Sequence, residues 1–227
     1  ERMRITDGSL PSVQASARPL ALSADPTVPS LHLMEPGQVP TALADVDVVF
    51  PVLHGPWGED GTIQGLLEMA GIPYVGSGVL ASAVAMDKSA MKSMFIAAGL
   101  PVGAYEAVTD RQWRRDPNAV IERAARLGFP LFVKPARAGS SMGITRVTSR
   151  EGLAAAIELA RRHDPKLVIE SAIHGAREIE CGVLTDASGD VMTSVCAEIV
   201  VRGDHEFYDF QAKYLDDAVD LVVPAEL

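Results

Sequence analysis

Long apolar runs, clustered basic residues and metal-spaced cysteines are all missing from this sequence of 227 residues. No apolar stretch reaches the roughly 18 residues that a membrane span needs, so we expect no membrane contact. The net charge is −10, with 20 basic and 30 acidic residues, which disfavours a nucleic-acid partner. The two cysteines, Cys181 and Cys196, lie in apolar sequence without metal-type spacing. We therefore predict buried free thiols in a reducing compartment, the cytoplasm.

The two standard phosphate-binding motifs are missing as well. The sequence contains neither Gly-x-x-x-x-Gly-Lys-Ser/Thr nor Gly-x-Gly-x-x-Gly after a first strand. The composition, 48% hydrophobic and 22% charged, is that of an ordinary globular protein. Its length suits roughly two domains.

A less common phosphate-binding pattern occupies residues 131–144. Leu131–Pro135 is a short apolar run that predicts a buried strand, and Ile144–Val147 predicts its return strand. The loop 136–143 contains two glycines and two serines, whose backbone N–H groups and hydroxyls can converge on an anion. Lys134 would add a positive charge beside the loop. The local pattern fits either a phosphate cradle or an ordinary hairpin with a surface lysine.

A second glycine-rich turn follows the apolar run 47–53, which predicts a buried parallel strand. The turn, 54–61, contains His54, a glutamate and an aspartate, and open α/β sheets place ligands at such strand ends. His54 is either a structural residue or a ligand contact. The helix predicted next, 62–70, ends at Gly71.

The remaining chain changes character along its length. Helices are predicted at 77–99, 118–127 and 149–162, and strands at 100–108, 166–170, 177–184 and 191–201. The βα alternation gives way to a meander, which predicts α/β followed by α+β architecture. The polar, aromatic-rich segment 204–217 predicts either a lid with Lys213 and Tyr214 at its tip or a plain surface loop.

Five motifs, in order along the chain, resemble the D-alanine–D-alanine ligases of the ATP-grasp superfamily. They lie at 53–61, 74–82, 86–88, 132–143 and 207–214. The resemblance implies an ATP-grasp fold in three parts. These are a partial Rossmann-like N-terminal domain (1–76), a central ATP-grasp subdomain (77–171) and the start of the C-terminal subdomain (172–227), which includes the lid loop 202–217.

The resemblance also implies a reaction and its reactants. ATP would phosphorylate the carboxylate of one D-alanine, and the amine of a second D-alanine would displace phosphate to give D-alanyl-D-alanine for peptidoglycan. The resemblance also implies that the reaction requires Mg²⁺ or Mn²⁺ and that the protein is a homodimer. The alternatives are a D-alanine–D-lactate ligase, another ATP-grasp carboxylate–amine ligase, or a nucleotide-binding module without catalysis.

Site residues follow from the matched motifs. Lysines would contact the ATP phosphates, the loop would cradle them, and the segment after strand 166–170 would hold adenine and ribose. The implied ATP-binding residues are Lys88, Lys134, Gly139, Ser140, Ser141, Glu170, Ala172, Ile173, Glu178 and Lys213. His54 would lie near the first D-alanine. Ser140, Tyr214 and Lys213 would form the catalytic group, with Tyr214 hydrogen-bonded to Ser140; this tyrosine favours the dipeptide over D-alanyl-D-lactate.

Two parts of the family pattern are missing. No Gly-Gly-x-Ser-x-Glu segment precedes His54, and no Glu-x-Asn pair follows Tyr214. In the family these bind the first substrate and magnesium. We therefore expect no metal ligand within this chain, with the ligands beyond residue 227, and we expect the chain to be the middle of a longer ligase.

Overall fold

The structure, a computed structural model, describes residues 19–23, 25–201 and 219–227. The predicted lid, with Lys213 and Tyr214, lies outside the described residues. The strands of the described residues are β1 (Leu20–Leu22), β2 (Ser30–Leu33), β3 (Thr41–Asp45), β4 (Tyr105–Thr109), β5 (Leu131–Pro135), β6 (Thr145–Val147), β7 (Lys166–Ser171), β8 (Glu178–Glu180), β9 (Val183–Thr185), β10 (Val191–Thr193), β11 (Ala197–Val201) and β12 (Val219–Val222). The helices are α1 (Thr62–Met69), α2 (Val79–Met86), α3 (Lys88–Ala97), α4 (Asp110–Arg115), α5 (Pro117–Ala125) and α6 (Leu153–Arg161). No helix among the described residues has the length and apolarity to cross a membrane.

The centre of the chain is an antiparallel sheet in the order β4-β7-β5-β6. Strand β5 alternates strictly, with Leu131 and Val133 buried and Phe132 and Lys134 half-buried. Because successive side chains of a strand point to opposite faces, the first pair joins the core beneath α6 and the second pair faces away from it. The strand and return strand predicted at 131–147 are therefore confirmed.

The core of this region lies between the sheet and helices α4, α5 and α6. Helix α4 begins with a capping box between Thr109 and Gln112, and Asp116 caps α5. The buried core residues are Val108, Trp113, Val120, Ala124, Leu131, Val133, Val147, Leu153, Ala156, Ile157, Ala160, Leu167 and Ile169.

The single helix predicted at 77–99 is wrong, because α2 and α3 are separated at Asp87. Asp87 has an extended backbone, and its Oδ1 accepts hydrogen bonds from the N–H groups of Ser89 and Ala90, each at 3.1 Å. The same carboxylate accepts from Lys166 Nζ at 2.8 and 3.0 Å. Asp87 thereby starts α3 against β7, on the sheet face that carries Lys134.

The strands predicted at 177–184 and 191–201 are each divided in two. Thr193 pairs with Val183, whereas Ala197 pairs with Glu180, so the second strand contains one extra residue between these pairs. This register shift is a β-bulge, and it separates the β9–β10 pair from the β8–β11–β12 sheet. The hairpin turn predicted at 186–190 is confirmed, with the Asp186 N–H bonded to the Asp190 carbonyl at 3.0 Å.

The thiols beside this bulge are less buried than the sequence predicts. Cys181 is exposed and Cys196 is half-buried, and both are free. Cys196 lies within the bulged segment and Cys181 lies in the facing segment between β8 and β9, two strands that are exposed. The prediction that both thiols are buried is therefore wrong, more so for Cys181 than for Cys196.

The N-terminal region contains the antiparallel sheet β1-β2-β3 and helix α1. The strand predicted at 47–53 is wrong: only Val49 forms a parallel bridge, to Tyr74, and Phe50 is 70% exposed. A parallel strand is stable when both of its faces are covered. Within the described residues that condition is not met here. Helix α1 and its end at Gly71, with φ 66°, are confirmed.

Candidate functional site

A cleft of about 720 Å³ lies between the Lys134 face of the central sheet and the hairpin formed by β8 and β11. The sheet contributes Lys134 and Glu170, the connection after β7 contributes Ala172 and Ile173, and the hairpin contributes Glu178. These five residues are all among those predicted to bind ATP. The structure thus brings together a charged end, an apolar wall and a carboxylate around one space.

A three-residue ion cluster forms the charged end of the cleft. Lys134 Nζ contacts Glu170 Oε1, and Lys92 Nζ lies 2.9 Å from Glu170 Oε2. The side chains of Lys92 and Glu170 are only 14% and 15% exposed. Burial alone raises the pKa of the Glu170 carboxyl, but the charges and hydrogen bonds of Lys134 and Lys92 lower the pKa overall. Glu170 is therefore a charged, acceptor-only group in the cleft wall.

Lys88 lies beside this cluster and is not among the residues that line the cleft. Its Nζ donates to the carbonyl oxygens of Ala138 at 2.6 Å and Pro135 at 3.2 Å. Burial and repulsion by Lys134 lower the pKa of its ammonium group. Lys88 thus binds the start of the glycine–serine loop and adds a third positive charge to those of Lys134 and Lys92.

The glycine–serine loop has an uncommon backbone. Ser140 and Ser141 have φ values of 51° and 56°, in the left-handed region that side chains rarely adopt. Such conformations cluster at ligand-binding and active sites, where the surrounding structure holds them in place. Gly143 has φ 71°, and a Cβ there would lie 2.5 Å from the His163 ring, so this position requires glycine.

Asp164 anchors Arg137, the second residue of the glycine–serine loop, and it was not predicted from the sequence. Its carboxylate accepts from the Arg137 N–H at 2.7 Å, Arg137 Nε at 3.1 Å and Arg137 Nη2 at 2.7 Å. It also accepts from the Lys166 N–H at 2.8 Å, and it is only 4% exposed. Burial by itself raises the pKa of Asp164, but these hydrogen bonds lower the pKa overall.

Substituting Asp164→Asn is expected to destabilise the protein and to remove part of its acid sensitivity. The amide has one acceptor oxygen, so it loses charge-assisted bonds worth about 1.5–3 kcal/mol. Because the pKa of Asp164 is lowered on folding, its stabilisation is present above about pH 4 and is lost as the pH falls through the folded value. Melting temperatures from pH 7 to pH 3 test this, with Asp45→Asn, on exposed β3, as the control. Equal melting of wild type and Asp164→Asn at pH 7 would refute the anchor.

The structure does not bring His54 to the cleft within the described residues. His54 is exposed, in the turn before α1. The acidic residues of that turn shape its backbone: Glu59 Oε2 accepts from the Gly55 N–H at 2.6 Å, and Asp60 accepts from the N–H groups of Trp57 and Thr62 at 2.9 and 3.0 Å. His54 as a D-alanine contact remains a prediction.

The carboxylates of the cleft do not form a metal site. Glu170 is bonded by two lysines, and Glu198 pairs with Arg177 at 2.6 and 2.8 Å. Among the described residues, no group of three or more His, Cys, Asp or Glu side chains could hold a metal ion. Mg²⁺ prefers oxygen ligands close to nucleotide phosphates, and these occupied carboxylates do not supply them.

A nucleotide-sized cleft between an antiparallel sheet and a β-hairpin, with one lysine on the sheet, another on helix α3 and a glycine–serine loop beside them, is the arrangement of the ATP-grasp class. The model of the D-ala D-ala ligase C-terminus matches residues 94–227, and that of the D-ala D-ala ligase N-terminus matches residues 6–77. The chain therefore belongs to the D-alanine–D-alanine ligase family.

Individual relatives agree with the family models. The chain is 58% identical to a D-alanine–D-alanine ligase from Streptomyces griseus over 100% of its own length and 59% of the relative. It is 60% identical to one from Pseudarthrobacter chlorophenolicus over 96% of its length and 58% of the relative. The chain thus spans about three-fifths of the curated relatives that it matches.

Solved structures share the fold. The VanG D-Ala:D-Ser ligase from Enterococcus faecalis superposes with a TM-score of 0.76 and 36% identity, over 92% of this chain and 57% of that one. The D-alanyl-alanine synthetase A from Vibrio cholerae superposes with a TM-score of 0.75 and 30% identity, over 93% and 60%. The ATP-grasp fold predicted from the sequence is confirmed.

Proposed function

We propose that the protein containing this chain joins two D-alanines to D-alanyl-D-alanine at the expense of ATP, for peptidoglycan synthesis. The observation that carries the proposal is the cleft, in which Lys134, Glu170, Ala172, Ile173 and Glu178 meet as the family resemblance implies. Relatives 58–60% identical that carry the name D-alanine–D-alanine ligase support it.

In this proposal the cleft binds ATP along its length. Ala172 and Ile173 form the apolar wall for adenine, Glu170 accepts a hydrogen bond from its edge, and Glu178 bonds the ribose hydroxyls. Lys134 moves its ammonium group from Glu170 to a phosphate oxygen. Charge-assisted contacts of this type hold phosphates in place and neutralise the charge that develops during transfer.

The loop beside the cleft would receive the phosphates. Gly139, Ser140 and Ser141 present backbone N–H groups and hydroxyls there, while Lys88 and Lys213 add positive charge. The D-alanine carboxylate oxygen attacks the terminal phosphorus, and ADP leaves. The chain contributes positioning and charge neutralisation, which are the main parts of phosphoryl-transfer catalysis.

The second half-reaction forms the peptide bond. The amine of the second D-alanine attacks the carbonyl carbon of the acyl phosphate, loses a proton and releases phosphate. We assign His54 to the first D-alanine, and we assign Ser140 and Tyr214 to a hydrogen bond that closes the site. These assignments rest on the motif match. A divalent cation, Mg²⁺ or Mn²⁺, accompanies ATP in this proposal, but no step is assigned to it, because Glu170 and Glu198 are engaged by lysine and arginine and Glu178 is assigned to the ribose.

We also propose the three-part division at residues 76 and 171, with the cleft between the second and third parts. We also propose that the full-length protein is a homodimer and lies in the cytoplasm.

Sedimentation equilibrium of the full-length protein tests the homodimer. A single species of twice the chain mass is the expected result.

The ligase reaction predicts D-alanine-dependent turnover of ATP. Full-length protein incubated with ATP, Mg²⁺ and D-alanine should release one phosphate for each D-alanyl-D-alanine formed, measured by a phosphate assay and by mass spectrometry. ATP binding without D-alanine-dependent phosphate release would instead favour a nucleotide-binding module without catalysis.

The identity of the second substrate has its own test, because one structural relative is a D-Ala:D-Ser ligase. D-lactate or D-serine is added in competition with D-alanine near neutral pH, and the products are separated by mass. The proposal expects D-alanyl-D-alanine to dominate, since relatives 58% and 60% identical to this chain carry the name D-alanine–D-alanine ligase. A dominant depsipeptide or D-alanyl-D-serine would overturn this part of it.

A further inference from the structure

We propose that Lys92 is a positioning residue that keeps Glu170 charged and oriented while Lys134 binds a nucleotide phosphate. The inference rests on the proposed ATP site. Lys92 lies four residues after Lys88 on α3, so both side chains share one face of the helix. The sequence motif of the family includes Lys88 and stops before Lys92, and the structure places both beside Glu170 and Lys134.

The geometry gives each lysine a separate oxygen of the Glu170 carboxylate. Lys134 contacts Oε1 and Lys92 contacts Oε2 at 2.9 Å. Lys92 also makes a cation–π contact, because its Nζ lies 5.4 Å from the centre of the Tyr105 ring. Tyr105 pairs directly with Glu170 across β4 and β7. An ammonium group with two such partners, on a side chain only 14% exposed, is held in one position.

Two cations on one carboxylate make an exchange of partners possible. If Lys134 turned to a phosphate and Glu170 had no other partner, a carboxylate only 15% exposed would lose its counter-charge. An unpaired charge in such surroundings is costly, and its protonated form becomes favoured. Lys92 removes that cost, because it remains on Oε2 when Lys134 leaves Oε1.

The charge state of Glu170 matters for the choice of nucleotide. An ionised carboxylate only accepts hydrogen bonds, so it suits the 6-amino group of adenine and opposes the 6-oxygen of guanine. A protonated carboxyl can donate and tolerates guanine. Lys92 thereby contributes to base selectivity without touching the base.

The charged and titratable groups that the sheet and α3 place around Glu170 are Lys134 on β5, Lys92 and Lys88 on α3, Tyr105 on β4, and Arg146, which pairs with Phe132 one strand farther along the same row. The segment after β7 and the hairpin add His174, Arg177, Glu178 and Glu198 to the lining of the same cleft. Of these, Lys92 and Lys134 contact the carboxylate in the interactions described above.

The test compares wild type, Lys92→Met and Lys92→Arg in the full-length protein. Lys92→Met keeps most of the side-chain length and removes the charge, and Lys92→Arg keeps the charge. We expect Lys92→Met to raise the KM for ATP about 10-fold or more, the loss of one charge-assisted contact, with a smaller change in kcat. The ratio of ATP to GTP efficiency should fall, and Lys92→Arg should restore most of both.

The pH profile separates positioning from a merely structural role. In Lys92→Met the nucleotide complex favours protonated Glu170, so the KM for ATP should increase from pH 5.5 to pH 8, whereas the wild-type value stays flat. A lower melting temperature with unchanged KM, selectivity and pH profile would overturn the proposal.

Calorimetric ATP binding distinguishes this proposal from the ligase assignment. Wild-type protein that binds ATP without D-alanine-dependent turnover refutes the ligase alone, and the dissociation constant of Lys92→Met then decides the role of Lys92. Wild-type protein that does not bind ATP overturns both.

Discussion

Replacing Lys134 by alanine in the full-length protein is expected to raise the KM for ATP by about 10- to 150-fold while the fold persists. One charge-assisted phosphate contact is worth about 1.5–3 kcal/mol, and each 1.4 kcal/mol is a factor of ten. Glu170 keeps Lys92 as its partner, so the substitution does not leave a buried carboxylate unpaired. Steady-state kinetics and a melting curve on the same preparation measure both parts.

The matched control for this prediction is Arg111→Ala. Arg111 is an exposed cation on α4, so it equals Lys134 in charge but does not line the cleft. Its kinetics should match those of wild type. Unchanged KM for ATP together with unchanged turnover in Lys134→Ala would refute the role of Lys134.

Replacing Leu131 by alanine is expected to lower the free energy of unfolding by about 2–5 kcal/mol. Leu131 is completely buried, on β5, beneath α6. Alanine loses the transfer energy of the removed carbons and leaves a cavity that a close-packed core fills poorly. The strand that begins at Leu131 also carries Lys134. The substitution therefore weakens the packing of the strand that forms the charged end of the cleft.

Urea denaturation, with Leu80→Ala as the control, checks this second prediction. Leu80 is 78% exposed on α2, so the same chemical change there should stay within about 0.5 kcal/mol. A loss below about 1 kcal/mol for Leu131→Ala would contradict the core as described.

The β5–β6 hairpin could be predicted because one local rule decides it. Strict alternation from Leu131 to Pro135 separates the core face from the cleft face, and Lys134 is therefore on the cleft side. The contacts of Glu170 with Lys134 follow from the pairing of β5 with β7, which no local pattern specifies. The family resemblance assigned both residues to ATP but did not predict their contact.

The wrong predictions of helix and strand bounds share a physical cause. In each, the apolar pattern predicts a continuous element, but one side chain or the contacts with a neighbouring strand decide the structure. The helical period runs through Asp87, whose side-chain bonds to two N–H groups end one helix and start the next. The bulge between Ser194 and Ala197 depends on pairing across the hairpin. The run 47–53 is apolar, but it has no covering layer among the described residues.

The site residues that sequence reading missed act through long-range contacts. Asp164 binds Arg137, which is 27 residues away in the sequence. Neither residue is part of a sequence motif that would predict this contact. Lys92 carried a usable signal, because it lies one helical turn beyond Lys88 and shares its face. Extending the matched motif by one helical turn beyond Lys88 would have included Lys92 among the predicted site residues.

Amide hydrogen exchange of the full-length protein, with and without a non-hydrolysable ATP analogue, tests the central claim most directly. The claim is that ATP occupies the cleft between the central sheet and the β8–β11 hairpin. Peptides that cover residues 131–146, 170–178 and 198–201 should exchange more slowly with the analogue at saturation. Unchanged exchange in all three, or protection confined to other segments, would contradict it.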